Sequence, residues 1–193
     1  MIYEVLLDKG ETPNKCTIAP LAGRPDFSLF RVKGDRKWGP LRSSILLHHK
    51  GECLTVIKKS LDEVHGIASV DCVWRRLDKL LDRIEGPLPI LARIPDNFVT
   101  AYPRKSEKNT DPESGLATIE AIFVASALFG HWEPSLLSQY YFGRKFIEMN
   151  IKRFLELGCL QAADTKMWPV LTVPHRHSQN RRLARGKISN PHS

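Results

Sequence analysis

The sequence predicts an α/β domain on a parallel sheet, followed by a helical C-terminal part and a basic tail. Two observations predict it. Five β-rich or alternating runs, each bounded by Gly, Pro or charged residues, read as strands. From the third run onward they are separated by segments with helical apolar spacing, and strand, helix, strand is the pattern of a parallel sheet.

The strands are read at IYEVLL (2–7), FSLFRV (27–32), SSILLHH (43–49), GIASVDC (66–72) and PLPILARI (87–94). Between the third and fourth, CLTVIKKSLDEVH (53–65) places Leu54, Ile57, Leu61 and Val64 at helical spacing. After the fourth, VWRRLDKLLDRI (73–84) places Leu77, Leu80, Leu81 and Ile84 on one face. The run GLATIEAIFVASALFG (115–130) is almost continuously apolar and ends in Gly130, which predicts a buried helix with a glycine stop. Helices follow at PSLLSQYY (134–141) and RKFIEMNIKRFLELG (144–158). The latter sets Phe146, Ile147, Ile151, Phe154 and Leu155 against Arg144, Lys145, Lys152 and Arg153, and Met149, Phe146 and Phe154 read as core. PRKSEKNTDPESG (103–115) is polar and turn-rich and reads as a long surface loop.

At 193 residues the chain is long enough for one ordinary core and too short for a multidomain machine. With 29 Lys+Arg against 21 Asp+Glu the formal charge is +8, which favours a polyanionic partner, nucleic acid first. The end of the chain, HRHSQNRRLARGKISNPHS, holds Arg176, Arg181, Arg182, Arg185 and Lys187 and no acid. It reads as a disordered arm that touches nucleic acid, or as a solvated tail that only aids solubility. Cys16, Cys53, Cys72 and Cys159 lie far apart with no C-x-x-C pair, so they read as reduced thiols in a cytosolic protein. MIYEVLLDKGE has no basic leader, and the sequence no apolar run of spanning length, so neither secretion nor membrane insertion is expected.

No P-loop, G-x-G-x-x-G, H-E-x-x-H or G-x-S-x-G occurs. In an open α/β sheet ligands sit beyond the carboxyl ends of strands. Three segments leave strands there with distinctive residues: HHK (48–50), DCVW (71–74) and IPDNFVTAY (94–102). Asp71 at a strand end can accept hydrogen bonds or a proton, and Trp74 can supply an apolar wall. A purely structural role stands beside this, with Asp71 capping the helix and Trp74 in the core. His48 and His49 would point to opposite faces of a regular strand, so they are not read as an ion-binding pair.

Taken in order, KCT (15–17), VDCVW (70–74), LPILARIPDNF (88–98), LATIEA (116–121) and YFGRKFIEMN (141–150) resemble the small-subunit ribosomal RNA aminocarboxypropyltransferases. More distantly they resemble the DTW-domain tRNA-uridine aminocarboxypropyltransferases, to whose strand and turn ILLHHKGE (45–52) is similar. The family pattern runs P-x-K-C-T, V-D-C-S-W, L-P-x-L with A-N-P-x-N-Y, L-S-T-x-E-A and F-x-W-G-x-x-F-x-x-N. Here Val73 and Ala117 stand where the family has serine, Asp96-Asn97-Phe98 stands for V-N-Y, and 103–115 is an insertion.

The resemblance, over residues 5–158, implies a SPOUT-like parallel sheet with a C-terminal trefoil knot, and makes 159–193 the basic tail. It implies an S-adenosylmethionine enzyme that moves the 3-amino-3-carboxypropyl group to N3 of a uridine or pseudouridine in RNA. Small-subunit rRNA or a pre-ribosomal particle is the expected partner, with tRNA as the alternative, and a cytoplasmic monomer is expected. Carried across by motif, Thr17 would bind the amino-acid end of the cofactor. Val70 and Leu88 would offer backbone contacts to its nucleoside, and Tyr102 and Thr118 would complete the pocket. Trp74 would select which carbon is presented, and Asp71 would orient the site or receive the N3 proton. No metal is required. Arg31, Lys33, Arg36, Lys37, the basic face of the last helix and the tail would hold the RNA backbone. A knotted methyltransferase and a non-catalytic ribosome-assembly protein that binds RNA are the rival readings.

Overall fold

Each β-rich run contains a strand: β1 Ile2–Leu7, β2 Phe27–Arg31, β3 Ile45–Cys53, β4 Gly66–Asp71 and β5 Ile90–Arg93, with β3 running on past the expected end at His49 and β5 shorter than the run that predicts it. The computed structural model describes residues 1–10, 16–61, 63–103 and 115–161. All pairings are parallel, in the order β2-β1-β4-β3-β5. β1 and β4 are central and buried along most of their length, which is why each reads as an almost unbroken apolar run.

Helices α1 Leu54–Ser60, α2 Leu77–Leu81, α3 Thr118–Leu128 and α4 Gly143–Glu156 cover the two faces. One core joins Tyr3, Val5, Leu7 and Ile67 of the sheet to α1, α3 and α4. A smaller core on the other face joins Leu6, Leu46 and Ala68 to Trp38, Leu80 and Ile84. In the larger core Phe123, Phe146 and Phe154 are fully buried and meet edge to face, with centroids 5.7 to 6.5 Å apart. Truncating any of them to alanine costs about 3–5 kcal/mol and loosens α3, whose N-terminus faces the site.

Several helices differ from the sequence reading for local reasons. α1 stops at Ser60, short of His65, because the Ser60 hydroxyl donates to the Ile57 carbonyl and Leu61 turns extended. The basic segment after β4 begins with a 3₁₀ turn, Trp74–Arg76, before α2, and PSLLSQYY yields only a 3₁₀ turn, Pro134–Leu137. Met149 is exposed rather than in the core. The buried stripe of α4 runs through Phe146, Ile147, Asn150 and Phe154, and Met149 lies outside it.

The glycine stop of α3 is present. Gly130 takes φ +85°, with the His131 N–H on the Ser126 carbonyl and the Gly130 N–H on the Ala127 carbonyl, a Schellman ending. None of the four cysteines is in a disulfide, and Cys159 and Leu160 pack against the larger core. Among the described residues no helix is long and apolar enough to cross a membrane. The insertion loop beyond Pro103 and the tail beyond Gln161 lie outside the described residues.

Candidate active site at the carboxyl ends of β1 and β4

Chain order singles out the carboxyl ends of β1 and β4. The chain leaves β1 for β2 on one side and leaves β4 for β5 on the other, so their carboxyl ends form a topological switch point. The two ends are held together where the Asp8 N–H donates to the Asp71 carbonyl at 3.0 Å. Side chains alternate along a strand, so Asp71, in register with Leu7, faces α3, whereas Asp8 faces the α2 side.

Asp71 is 8% exposed and gathers two distant segments. Its Oδ1 accepts the Thr118 hydroxyl at 2.6 Å, and its Oδ2 accepts the Cys16 thiol at 2.9 Å. Thr118 opens α3 and Cys16 precedes Thr17, so one carboxylate brings three of the predicted site segments together. Burial, followed by the charge of Asp71 and the hydrogen bond to it, pushes the Cys16 thiol up to about 12. At neutral pH it therefore stays a donor. Asp71 caps no helix and Trp74 is half-buried outside both cores, so the pair does not take the cap-and-core arrangement open to it in the sequence.

A second carboxylate, Glu120, fixes the neighbouring wall. It is fully buried, and its oxygens accept four donors: the Ala101 N–H, the Tyr140 hydroxyl, the Thr100 hydroxyl and the Ala117 N–H, at 2.6 to 2.9 Å. The loop carrying Tyr102 is thereby tied to the start of α3, and the Tyr102 ring stands edge-on to Phe142. Asn150 of α4 clasps the same loop, accepting the Val99 N–H at 2.7 Å and donating to its carbonyl at 2.8 Å. Glu120 was not singled out in the sequence, although one carboxylate inside an apolar helix must find buried donors. Ala117 supplies no side-chain oxygen, so only the Glu120 half of a capping box exists.

The outer wall carries Trp74 and His49. Their rings meet edge-on with centroids 5.4 Å apart, which joins the middle of β3 to the segment leaving β4. His48 and His49 do not take opposite faces as a regular strand would require. Leu47 and Glu52 both pair with Ala92, so residues 48–51 bulge out of the ladder and the two imidazoles stack at 4.6 Å. Val70 is half-buried in β4, while Leu88, before β5, and Val73 are each 41% exposed. Arg31 and Lys33, at the end of β2, and Arg36 and Lys37 reach the surface, with Arg36 over the Phe30 ring.

On the α2 side Asp8 is 2% exposed and pairs through Oδ2 with Arg76 at 2.6 Å. Its Oδ1 has no partner among the described residues. No family model matches the chain, and no curated protein matches it. A solved structure does: the SAM-dependent rRNA:acp-transferase Tsr3 from Vulcanisaeta distributa. It superposes with a TM-score of 0.56 over 96% of this chain and 98% of that one, at 21% identity. The likeness establishes a shared fold along nearly the whole chain.

Proposed function

We propose that this protein transfers the 3-amino-3-carboxypropyl group of S-adenosylmethionine to N3 of a uridine or pseudouridine in small-subunit rRNA. The observation that carries the reading is the Asp71 carboxylate, which draws Thr118 and the Cys16-Thr17 segment to one switch point. The solved neighbour described as an SAM-dependent rRNA:acp-transferase supports it, as does the net charge of +8.

The donors present fit the amino-acid end of such a cofactor. The first turn of α3 has no side-chain cap, and uncapped N–H groups at a helix N-terminus favour a carboxylate. Thr17 and Thr118 would hold that end, Val70 and Leu88 would present backbone groups to the nucleoside, and Tyr102 would close the pocket. Trp74 would cover the methyl group and exclude it from the acceptor. Asp71 would act as a positioning residue, holding the Thr118 hydroxyl and the Cys16 thiol in place. When bound, the sulfonium supplies an electrophilic γ-carbon and a thioether leaving group. An unpaired base in a loop suits this acceptor, because N3 is occupied in a Watson-Crick pair.

The same reading makes residues 1–158 a SPOUT-like domain related to the DTW group, with its C-terminal helix threaded as a trefoil knot. It makes the basic part of 159–193 an RNA-binding tail, Cys159 and Leu160 themselves packing on the core, and the protein a cytoplasmic monomer, in keeping with cysteines outside any disulfide. Mass spectrometry of small molecules tests it, after incubation with S-adenosylmethionine and total RNA from a strain lacking the gene. Methylthioadenosine, with label from the carboxyl carbon entering RNA, is expected. S-adenosylhomocysteine would make it a methyltransferase, and no product with no cofactor binding would leave an RNA-binding protein.

A further inference from the structure

The bulge in β3 builds a cluster that the cofactor side of the site does not use. A Cβ on Gly51 would run into the backbone of Leu91 and Ala92, so only glycine lets the chain return to the ladder after looping out. Bulges re-aim side chains beside active sites, and this one turns His48, His49 and Lys50 toward α2 and Trp74.

His48 is held at both ring nitrogens. Its Nδ1 accepts the Lys50 backbone N–H at 3.2 Å, which leaves Nε2 as the donor to Asp78 Oδ1 at 3.2 Å. Lys50 Nζ closes the other oxygen of Asp78 at 2.7 Å. His48 is thus a buried, fixed platform, and its ring backs that of His49. His49 is exposed, and among the described residues neither of its ring nitrogens is hydrogen-bonded. Partial desolvation, then the neighbouring His48 and Lys50, hold its pKa below the ordinary histidine value, with Asp78 opposing. It is therefore a neutral imidazole with a lone pair available at physiological pH.

We propose that His49 takes the N3 proton of the acceptor base. This rests on the transfer reading above and assigns the proton within it. The N3–H bond breaks, its electron pair stays on N3 to form the new N3–C bond as the C–S bond breaks, and the proton ends on the imidazole. From there it passes to solvent. Of the carboxylates at this end of the sheet, Asp71 is buried and holds the Thr118 hydroxyl and the Cys16 thiol, and Asp8 is buried and paired with Arg76, whereas His49 is exposed to an incoming base. Histidine is the commonest general base, and the His49 ring has a lone pair free to take the proton.

The test uses the full chain. Nitrogen-15 NMR of the histidine rings is recorded with a short oligouridylate and with its N3-methylated analogue, which has no proton to give. The His49 resonance is expected to move with the first and not the second; indifference to oligouridylate overturns the proposal. His49→Gln is expected to lose about 10²–10⁴-fold in kcat together with the acid limb of the pH profile, while S-adenosylmethionine affinity by calorimetry stays within about twofold. Methylthioadenosine formed at the wild-type rate by His49→Gln overturns this assignment alone. No methylthioadenosine from the wild type overturns the transfer reading and this one with it.

Discussion

The hydroxyl of Thr118 donates to Asp71 Oδ1 at 2.6 Å, across 47 residues of sequence. A hydrogen bond to a buried ionised group contributes about 1.5–3 kcal/mol, and removing the donor leaves that oxygen without its partner. Thr118→Val is therefore expected to lose about that much stability in urea unfolding and to weaken S-adenosylmethionine binding by calorimetry. Thr118→Ser, which keeps the hydroxyl, should retain both. A fully stable Thr118→Val with normal affinity would remove Asp71 from its organising role.

Cys16 gives that carboxylate its other donor, and its titration has a definite sign. Its pKa is raised on folding from an ordinary 9.0 to about 12, so between these values the unfolded chain has released a proton that the folded chain retains. The thiol's contribution is complete below the unfolded value and declines as pH rises, by at most about 1.4 kcal/mol per pH unit. Cys16→Ser should flatten the stability profile above pH 9 relative to the wild type. In the native wild type, iodoacetamide at pH 8 should modify Cys16 far more slowly than after denaturation.

Ala117 occupies an N-cap with extended backbone, φ −64° and ψ 152°, and Glu120 already provides the reciprocal bond from N3. A hydroxyl at this position completes the box. Ala117→Ser is expected to raise stability by about 1 kcal/mol in denaturant unfolding. An unchanged or lowered midpoint would show that a hydroxyl at this position does not cap α3.

Local pattern carried most of the fold. The buried central strands show as apolar runs, and Gly130 marks the end of α3 because only a left-handed residue closes that ending without strain. Helix ends were less legible: one side-chain bond, Ser60 on Ile57, ends α1, and no apolar spacing reports it. The site was half legible. Asp71 and Trp74 stand out at a strand end, but the donors to Asp71 come from 55 residues before and 47 after, beyond any local pattern. The bulge left one mark, a glycine inside a strand-like run after two histidines, and Gly51 is where the ladder resumes.

The tail is a separate electrostatic question. Deleting residues 176–193 removes Arg176, Arg181, Arg182, Arg185 and Lys187 and leaves every described residue in place. If these side chains neutralise phosphates, the RNA dissociation constant should rise and the slope of its logarithm against log salt should fall by about 0.7 per lost contact on single strands. An unchanged slope means the tail touches no phosphate.

Under the proposed function, Trp74 is the residue expected to set which product forms. Its ring begins a 3₁₀ turn three residues beyond Asp71 and is braced edge-on by His49, so it is a wall held from two sides rather than a core side chain. If it covers the methyl group, Trp74→Ala opens space at the sulfonium and lets a second carbon reach the acceptor. The expected outcome is weaker S-adenosylmethionine binding and a product mixture in which S-adenosylhomocysteine appears beside methylthioadenosine, read by mass spectrometry. Trp74→Phe, which keeps an aromatic face, should preserve most of the selectivity. Full activity of Trp74→Ala with methylthioadenosine as sole by-product would show that carbon choice is set elsewhere, by how Thr17 and the start of α3 hold the amino-acid end.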